Sequence, residues 1–233
     1  LIEKQIGNIW FVKFDWLMSS RASTSRTWSW YSNKDEGGGI IGALGSHAID
    51  ILHWLIGPTI NVNCNLSTSI KERLCTSSNS IKKVTSEDTC SAQIELQELN
   101  SLKKIPAQIN LSSVCMNGRG CWIEIYGSEG TLILGSDNQN DYVHGFGLWQ
   151  SERASQLKSI SPDIDFQFSK TWTDGRIAPV HRIQKWWAES IINDLPIIPG
   201  LLEGGESQKV CDKLKESADS GNRLNVNQTE TIA

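Results

Sequence analysis

Hydrophobic and polar residues alternate with a period of two along much of this chain, and three stretches switch to a period of three to four. Residues 9–16 set Trp10, Val12, Phe14 and Trp16 on one face, as a half-buried strand requires. Ile60, Val62, Cys64 and Leu66 alternate with Asn61, Asn63, Asn65 and Ser67. Cys90, Ala92, Ile94 and Leu96 behave in the same way, as do Ile105, Ala107, Ile109 and Leu111, so each run predicts a strand. Residues 121–126 and 131–134 flank Gly127-Ser128-Glu129-Gly130, a hairpin whose two glycines are expected to supply the left-handed backbone. Short connections imply an antiparallel sheet, apolar on one face and rich in Asn, Gln and Ser on the other.

The helical stretches have their own punctuation. Ser46 is a favourable N-cap, Ile49, Leu52 and Ile56 share a face, and Gly57-Pro58 ends the run. From His181, the residues Ile183, Trp186, Trp187 and Ile191 fall on one side until Pro196 and Pro199. A last amphipathic helix covers residues 203–219, with Val210 and Leu214 inward and Gly221 as its stop. Residues 19–36 read as a loop pinned by Trp28, Trp30 and Tyr31, and residues 137–174 as loop with a short strand near Phe166 and Phe168. A helix, a run of strands and then helices predict an α+β fold: an open, mainly antiparallel sheet with helices packed on one face.

The 233 residues are 39% hydrophobic and 21% charged, a globular composition that excludes disorder, collagen and coiled coil. The whole of residues 1–233 is expected to form a single domain. With 22 basic against 26 acidic residues and no basic face, nucleic acid and acidic membranes are excluded as partners. The longest apolar runs fall well short of the ~20 residues of a membrane span. Six cysteines, at 64, 75, 90, 115, 121 and 211, form no C-x-x-C pair and have no histidine at ligand spacing. They read as reduced, mostly buried thiols of a cytoplasmic protein, with no metal. The sequons at Asn65, Asn110 and Asn227 are read as chance in a chain rich in Asn, Ser and Thr. No signal-peptide pattern is seen, and the opening at Leu1 directly ahead of a strand is expected of a fragment or a processed chain.

Gly37-Gly38-Gly39-Ile40-Ile41-Gly42 matches the dinucleotide pattern G-x-G-x-x-G literally. The pattern works only after an apolar strand and with an acidic residue about twenty positions on. Here the polar run Tyr31 to Glu36 precedes it and Val62 stands at the later position, so that reading is rejected. His47, Asp50 and His53 follow at spacings of three, which puts successive members on one helix face. A histidine in a helix's first turn meets the positive end of the dipole, which favours the neutral imidazole a general base needs. The same residues also suit local capping and packing beside a glycine-rich loop. His144 and His181 stand alone and read as structural. Trp28, Trp30, Trp149 and Trp172 either stack on a sugar or nicotinamide ring or fill gaps between loop and sheet.

The run from Gly37 to Asp50 resembles the glucose-fructose oxidoreductase/inositol dehydrogenase (Gfo/Idh/MocA) family, and residues 123–132 and 203–223 look similar to that family's hairpin and closing helix. The resemblance implies the C-terminal domain, with the N-terminal Rossmann domain that binds NAD or NADP lying outside this chain. On it, His47 is the catalytic candidate, assisting proton transfer at a substrate hydroxyl. Asp50, Trp30 and His181 are the substrate-binding candidates, and Gly38 and Gly39 the cofactor-binding ones. It further implies an oxidoreductase of a sugar, polyol or similar hydroxy or carbonyl compound, and a dimer or tetramer formed through the sheet face. The chain alone is expected to be inactive, since the family's Glu-Lys-Pro lysine belongs to the other domain. Many members carry Asp four residues before the histidine, where this chain has Ala43. That departure leaves two alternatives: a catalytically degenerate ligand-binding or dimerisation module, and a bilin or ketone reductase of the same architecture.

Overall fold

The structure is a computed structural model and describes residues 5–136, 146–153, 155–161 and 167–227. Strands β1 (Ile9–Leu17), β2 (Thr59–Ser67), β5 (Thr89–Gln97), β6 (Lys104–Ser112), β7 (Gly120–Gly127), β8 (Gly130–Ser136), β9 (Gly147–Glu152), β10 (Lys158–Ile160) and β11 (Leu224–Asn225) form one sheet. Their order is β10-β9-β8-β7-β1-β6-β5-β2-β11, and β3 (Glu72–Cys75) and β4 (Ser80–Lys83) make a separate hairpin. Among the described strands, only β1 and β6 pair in parallel. The first strand thus sits in the middle of the sheet, with Phe14 opposite Ile109 of β6 on one side and Ile123 of β7 on the other.

Three α-helices are described: α1 (Ser46–Leu55), α2 (Ile177–Ile192) and α3 (Leu201–Ser220). Ala48, Ile49 and Leu52 of α1 and Val210, Cys211 and Leu214 of α3 enter one core with the alternating apolar residues of the sheet. Those two helices cover one sheet face and pack on each other. The open, mostly antiparallel sheet with helices on one face is therefore the architecture expected from the alternation.

Four details differ from the sequence pattern. Trp10, expected beside Val12, Phe14 and Trp16, is 59% exposed. The pairing of β1 with β7 slips between Ile9 and Phe11, and this bulge turns Ile9 to the core instead. Neither Gly127 nor Gly130 of the hairpin takes a left-handed backbone. A Cβ on Gly127 would fall 2.2 Å from the Ile6 carbonyl oxygen and one on Gly130 2.1 Å from that of Ser151, so neighbouring backbone requires both glycines. Phe168 lies outside any strand, Phe166 and His144 lie outside the described residues, and β9 and β10 occupy part of the stretch read as loop. Finally, α2 leaves exposed the side chains that the pattern gathers on one side: Ile183, Trp186, Trp187 and Ile191.

The helix ends follow their local chemistry. The Gly200 N–H donates to Glu203 Oε2 at 2.7 Å, which starts α3 two residues earlier than the apolar pattern does. Gly221 closes it with φ of 69°. Near that end, Ser217 is fully buried; its Oγ accepts the Cys64 N–H at 3.0 Å and donates to the Asn222 carbonyl at 2.6 Å. Ser217→Ala strands the buried Cys64 N–H and unties the turn at Asn222, and is expected to cost about 1–3 kcal/mol. Urea denaturation checks it, and a midpoint unchanged from wild type would contradict the linking role.

Candidate functional site

The run from Gly37 to Asp50 is built around Glu87, a residue that no local pattern singles out. Helical backbone starts at Ile40, and a π-helical turn, Ile41–Gly45, leads without a break into α1. The Ile40 N–H donates to the Glu87 backbone carbonyl and the Ile41 N–H to Glu87 Oε1, both at 3.0 Å. A carboxylate thus sits at the positive end of this helix, where an anion is most favoured. A Cβ on Gly39, whose φ is 112°, would lie 2.3 Å from Glu87 Oε1, and one on Gly38 would lie 2.3 Å from the Tyr31 carbonyl oxygen. The glycines therefore serve the turn itself, on the side where Glu87 and Tyr31 close in.

Ser46 does not cap a helix, because its hydroxyl donates back to the Gly42 carbonyl at 3.2 Å. His47 consequently stands about two turns inside the helical run rather than in its first turn. The dipole acts over the first turn only, so the expected influence of the helix end on His47 does not apply. What positions His47 is packing and sequence. Its side chain is exposed, and its ring lies 6.5 Å from that of Trp16, which is 8% exposed on β1. Asp50 follows one turn later on the same helix face and is partly exposed. An imidazole and a carboxylate are thus presented side by side at the surface, beside a π turn of the kind that recurs at functional sites.

His53 belongs to the fold. The Thr59 N–H donates to its Nε2 at 3.1 Å, and Thr59 Oγ1 lies 3.0 Å away, tying the end of α1 to the start of β2. Burial lowers its pKa below the ordinary 6.5, against the opposing pull of Asp50 and Glu206. The unfolded chain therefore binds this proton more readily than the folded one, and stability is lost as pH falls below about 6.5. Thermal melts at pH 8 and pH 5 should show a smaller loss on acidification for His53→Gln than for wild type. Equal losses would contradict it.

The remaining candidates are spread out. Trp30 is 56% exposed, with its ring 5.9 Å from that of Tyr31, in a loop that Ser86 holds by donating to the Tyr31 carbonyl at 2.7 Å. That loop is tied down further by Arg73, a buried guanidinium on β3 that donates to the carbonyls of Arg21, Ser23 and Arg26. His181 lies on α2 with its ring 5.9 Å from that of Trp172, and α2 makes no broad contact with α1. Among the described residues, no group of three His, Cys, Asp or Glu is placed to hold a metal. No helix there is long and apolar enough to cross a membrane.

The sheet face away from α1 and α3 forms a second surface. A depression of about 380 Å³ there is lined by Phe11, Asn61, Asn63, Gln93, Gln108 and Arg223 among others. Glu95 anchors it, accepting from Asn61 Nδ2 at 2.7 Å and pairing with Arg223 at 3.2 Å. Toward β9 the face turns aromatic, with Trp122 stacked on Trp149 at 5.5 Å.

Comparison with known proteins agrees with this architecture. Residues 1–226 match the model of an oxidoreductase family, C-terminal alpha/beta domain, the Gfo/Idh/MocA C-terminal domain. An uncharacterized oxidoreductase of Synechocystis is 41% identical over 213 residues, 91% of this chain and 56% of that protein. Levoglucosan dehydrogenase in complex with NADH and L-sorbose superposes with a TM-score of 0.78 at 20% identity, over 98% of this chain and 61% of that one. An NAD binding oxidoreductase from Klebsiella pneumoniae gives the same TM-score at 18% identity and the same coverage. The chain thus spans little more than half the length of these proteins, and it belongs to the Gfo/Idh/MocA oxidoreductase family as the C-terminal alpha/beta domain.

Proposed function

We propose that this chain is the substrate-binding and dimerisation domain of an NAD(P)-dependent oxidoreductase acting on a sugar, a polyol or a similar small hydroxy or carbonyl compound. The observation that carries the proposal is the exposed His47, set one turn before Asp50 on a helix whose start is fixed by Glu87. A histidine so presented can take a proton from a substrate hydroxyl, or return it to a carbonyl oxygen. Asp50 and Trp30 are the proposed substrate contacts, one polar and one a ring for a sugar face, and His181 is a third. Ala43 leaves His47 without the acidic partner of many relatives, so Trp16 is left to orient the imidazole.

The described residues do not fit a dinucleotide site, because the one helix start among them with a glycine-rich approach is already capped by the Glu87 carboxylate. NAD(P) therefore belongs with the cofactor domain outside this chain. Levoglucosan dehydrogenase, whose complex holds NADH and L-sorbose, supports a nicotinamide and a sugar-like substrate. The uncovered sheet face, with its polar depression and aromatic end, supports assembly of copies through it. The six cysteines, all free thiols, support a reducing compartment such as the cytoplasm.

Equilibrium binding of NADH and NADPH to the full-length protein tests the assignment. Saturable binding to the full-length protein, with none to residues 1–233 alone, is the expected result. Absence of binding to the full-length protein would refute it.

A further inference from the structure

Helix α2 carries large apolar side chains that the described residues cover only in part. Ile177, Val180, Ile183, Trp186, Trp187 and Ile191 are each between 37% and 68% exposed. At roughly 100° per residue, they share one half of the helix circumference, with Arg182, Lys185 and Glu189 in the other half. A helix of a folded protein turns an apolar face of this kind toward a core. Yet only Ala178 of α2 is buried, and the helix makes no broad contact with the sheet, α1 or α3. The apolar surface continues past its end to Leu201 and Leu202, which are 96% and 82% exposed. Trp187 is held in place by donating its indole N–H to the Pro199 carbonyl at 2.9 Å, so the ring is presented in a defined orientation.

The length of the relatives indicates what covers this face. The Synechocystis protein has 44% of its length outside the match and levoglucosan dehydrogenase 39%, enough for a further domain. A second copy of this chain is the poorer occupant. The open sheet face already offers the mixed polar and aromatic character of an association surface, whereas the α2 arc has the composition of a core cut in half.

We propose that the apolar face of α2 is buried against the cofactor-binding part of the full-length protein, making this helix the joint through which the two halves hold their relative position. The inference rests on reading the chain as the substrate half of a larger oxidoreductase. Hydrogen exchange on the full-length protein tests it. The amides of α2 should exchange at least about tenfold more slowly than those of a freely solvated helix, independently of protein concentration. Trp186→Glu with Trp187→Glu should abolish that protection and split a single thermal transition into two, while Lys185→Glu on the polar sector changes neither. Unprotected α2 amides in the wild-type full-length protein would overturn the proposal, whether or not the tryptophan variants fold. So would protection that grows with protein concentration, which identifies a second copy, or that appears only with lipid vesicles. NADH binding measured on the same sample separates the two ideas. Protection without NADH binding removes the cofactor reading and leaves the joint, while NADH binding without protection removes the joint alone.

Discussion

His47→Ala in the full-length protein is expected to lower kcat/KM by about 10²- to 10⁴-fold, the contribution of a positioned general acid or base. That range corresponds to about 3–5 kcal/mol of lost transition-state stabilisation. The loss should fall on kcat, because the proton moves only as the substrate oxygen gains or sheds charge. Affinity for NAD(H) should be unchanged, since the chain's helix start is committed to Glu87 rather than to the dinucleotide. Stability should be nearly unchanged too, as the His47 side chain is exposed and touches little beyond the Trp16 ring. Steady-state kinetics beside a thermal melt reads both. A variant that keeps full turnover removes His47 from the chemistry, and one that simply unfolds contradicts the surface placement.

Phe14→Ala is expected to be the most damaging single change to the fold, at about 3–5 kcal/mol. Its ring is fully buried in the central strand, between Ile109 and Ile123 and 6.4 Å from the Trp16 ring. Truncation opens a cavity between parallel and antiparallel neighbours at the point where the sheet can relax least. In a chain of this size that is a fall in melting temperature of the order of 10 °C or more. Trp10→Ala on the same strand removes a larger ring but should cost far less, because the bulge at Ile9 has turned it outward. Chemical denaturation of the two variants side by side checks the register of β1. Equal losses would show that Trp10 is a core residue and that the bulge is wrongly placed.

The sheet was legible because β2, β5 and β6 each bury one side of a long alternation, and an unbroken period of two suits a half-buried strand and no helix. The hairpin at Gly127 to Gly130 was legible as well, although its glycines answer to the crowding of Ile6 and Ser151 rather than to a turn angle. What escaped was the non-local part. Nothing in the spacing of residues 37–50 announces that Glu87, some forty positions later, supplies the cap on Ile40 and Ile41, and a cap from afar leaves no local motif. Ser46 looked like a helix start because Ser at that place usually is one, and a π turn ahead of it has no sequence signature of its own. The β3–β4 hairpin is short and mostly polar, so alternation could not pick it out, and its role lies in Arg73 reaching three distant carbonyls. For α2 the periodicity gave the element and its apolar side, but a pattern records only that a face is buried in the complete protein and not by what. Spacing put His47 and Asp50 on one helix face and the family resemblance made them candidates, while Trp30 and His181 had no spacing to unite them, and the structure sets His181 on a separate helix.

A chain that serves as the substrate side of a nicotinamide-dependent oxidoreductase must support turnover once the protein is complete. The full-length protein should be assayed for oxidation or reduction of NAD(H) and NADP(H) against a panel of sugars, polyols and small hydroxy or carbonyl compounds. The prediction is saturable turnover with at least one member of the panel, abolished to within background by His47→Ala. Saturable binding of panel compounds with no redox change in the cofactor would contradict it, and would make the protein a ligand-binding module on an oxidoreductase fold.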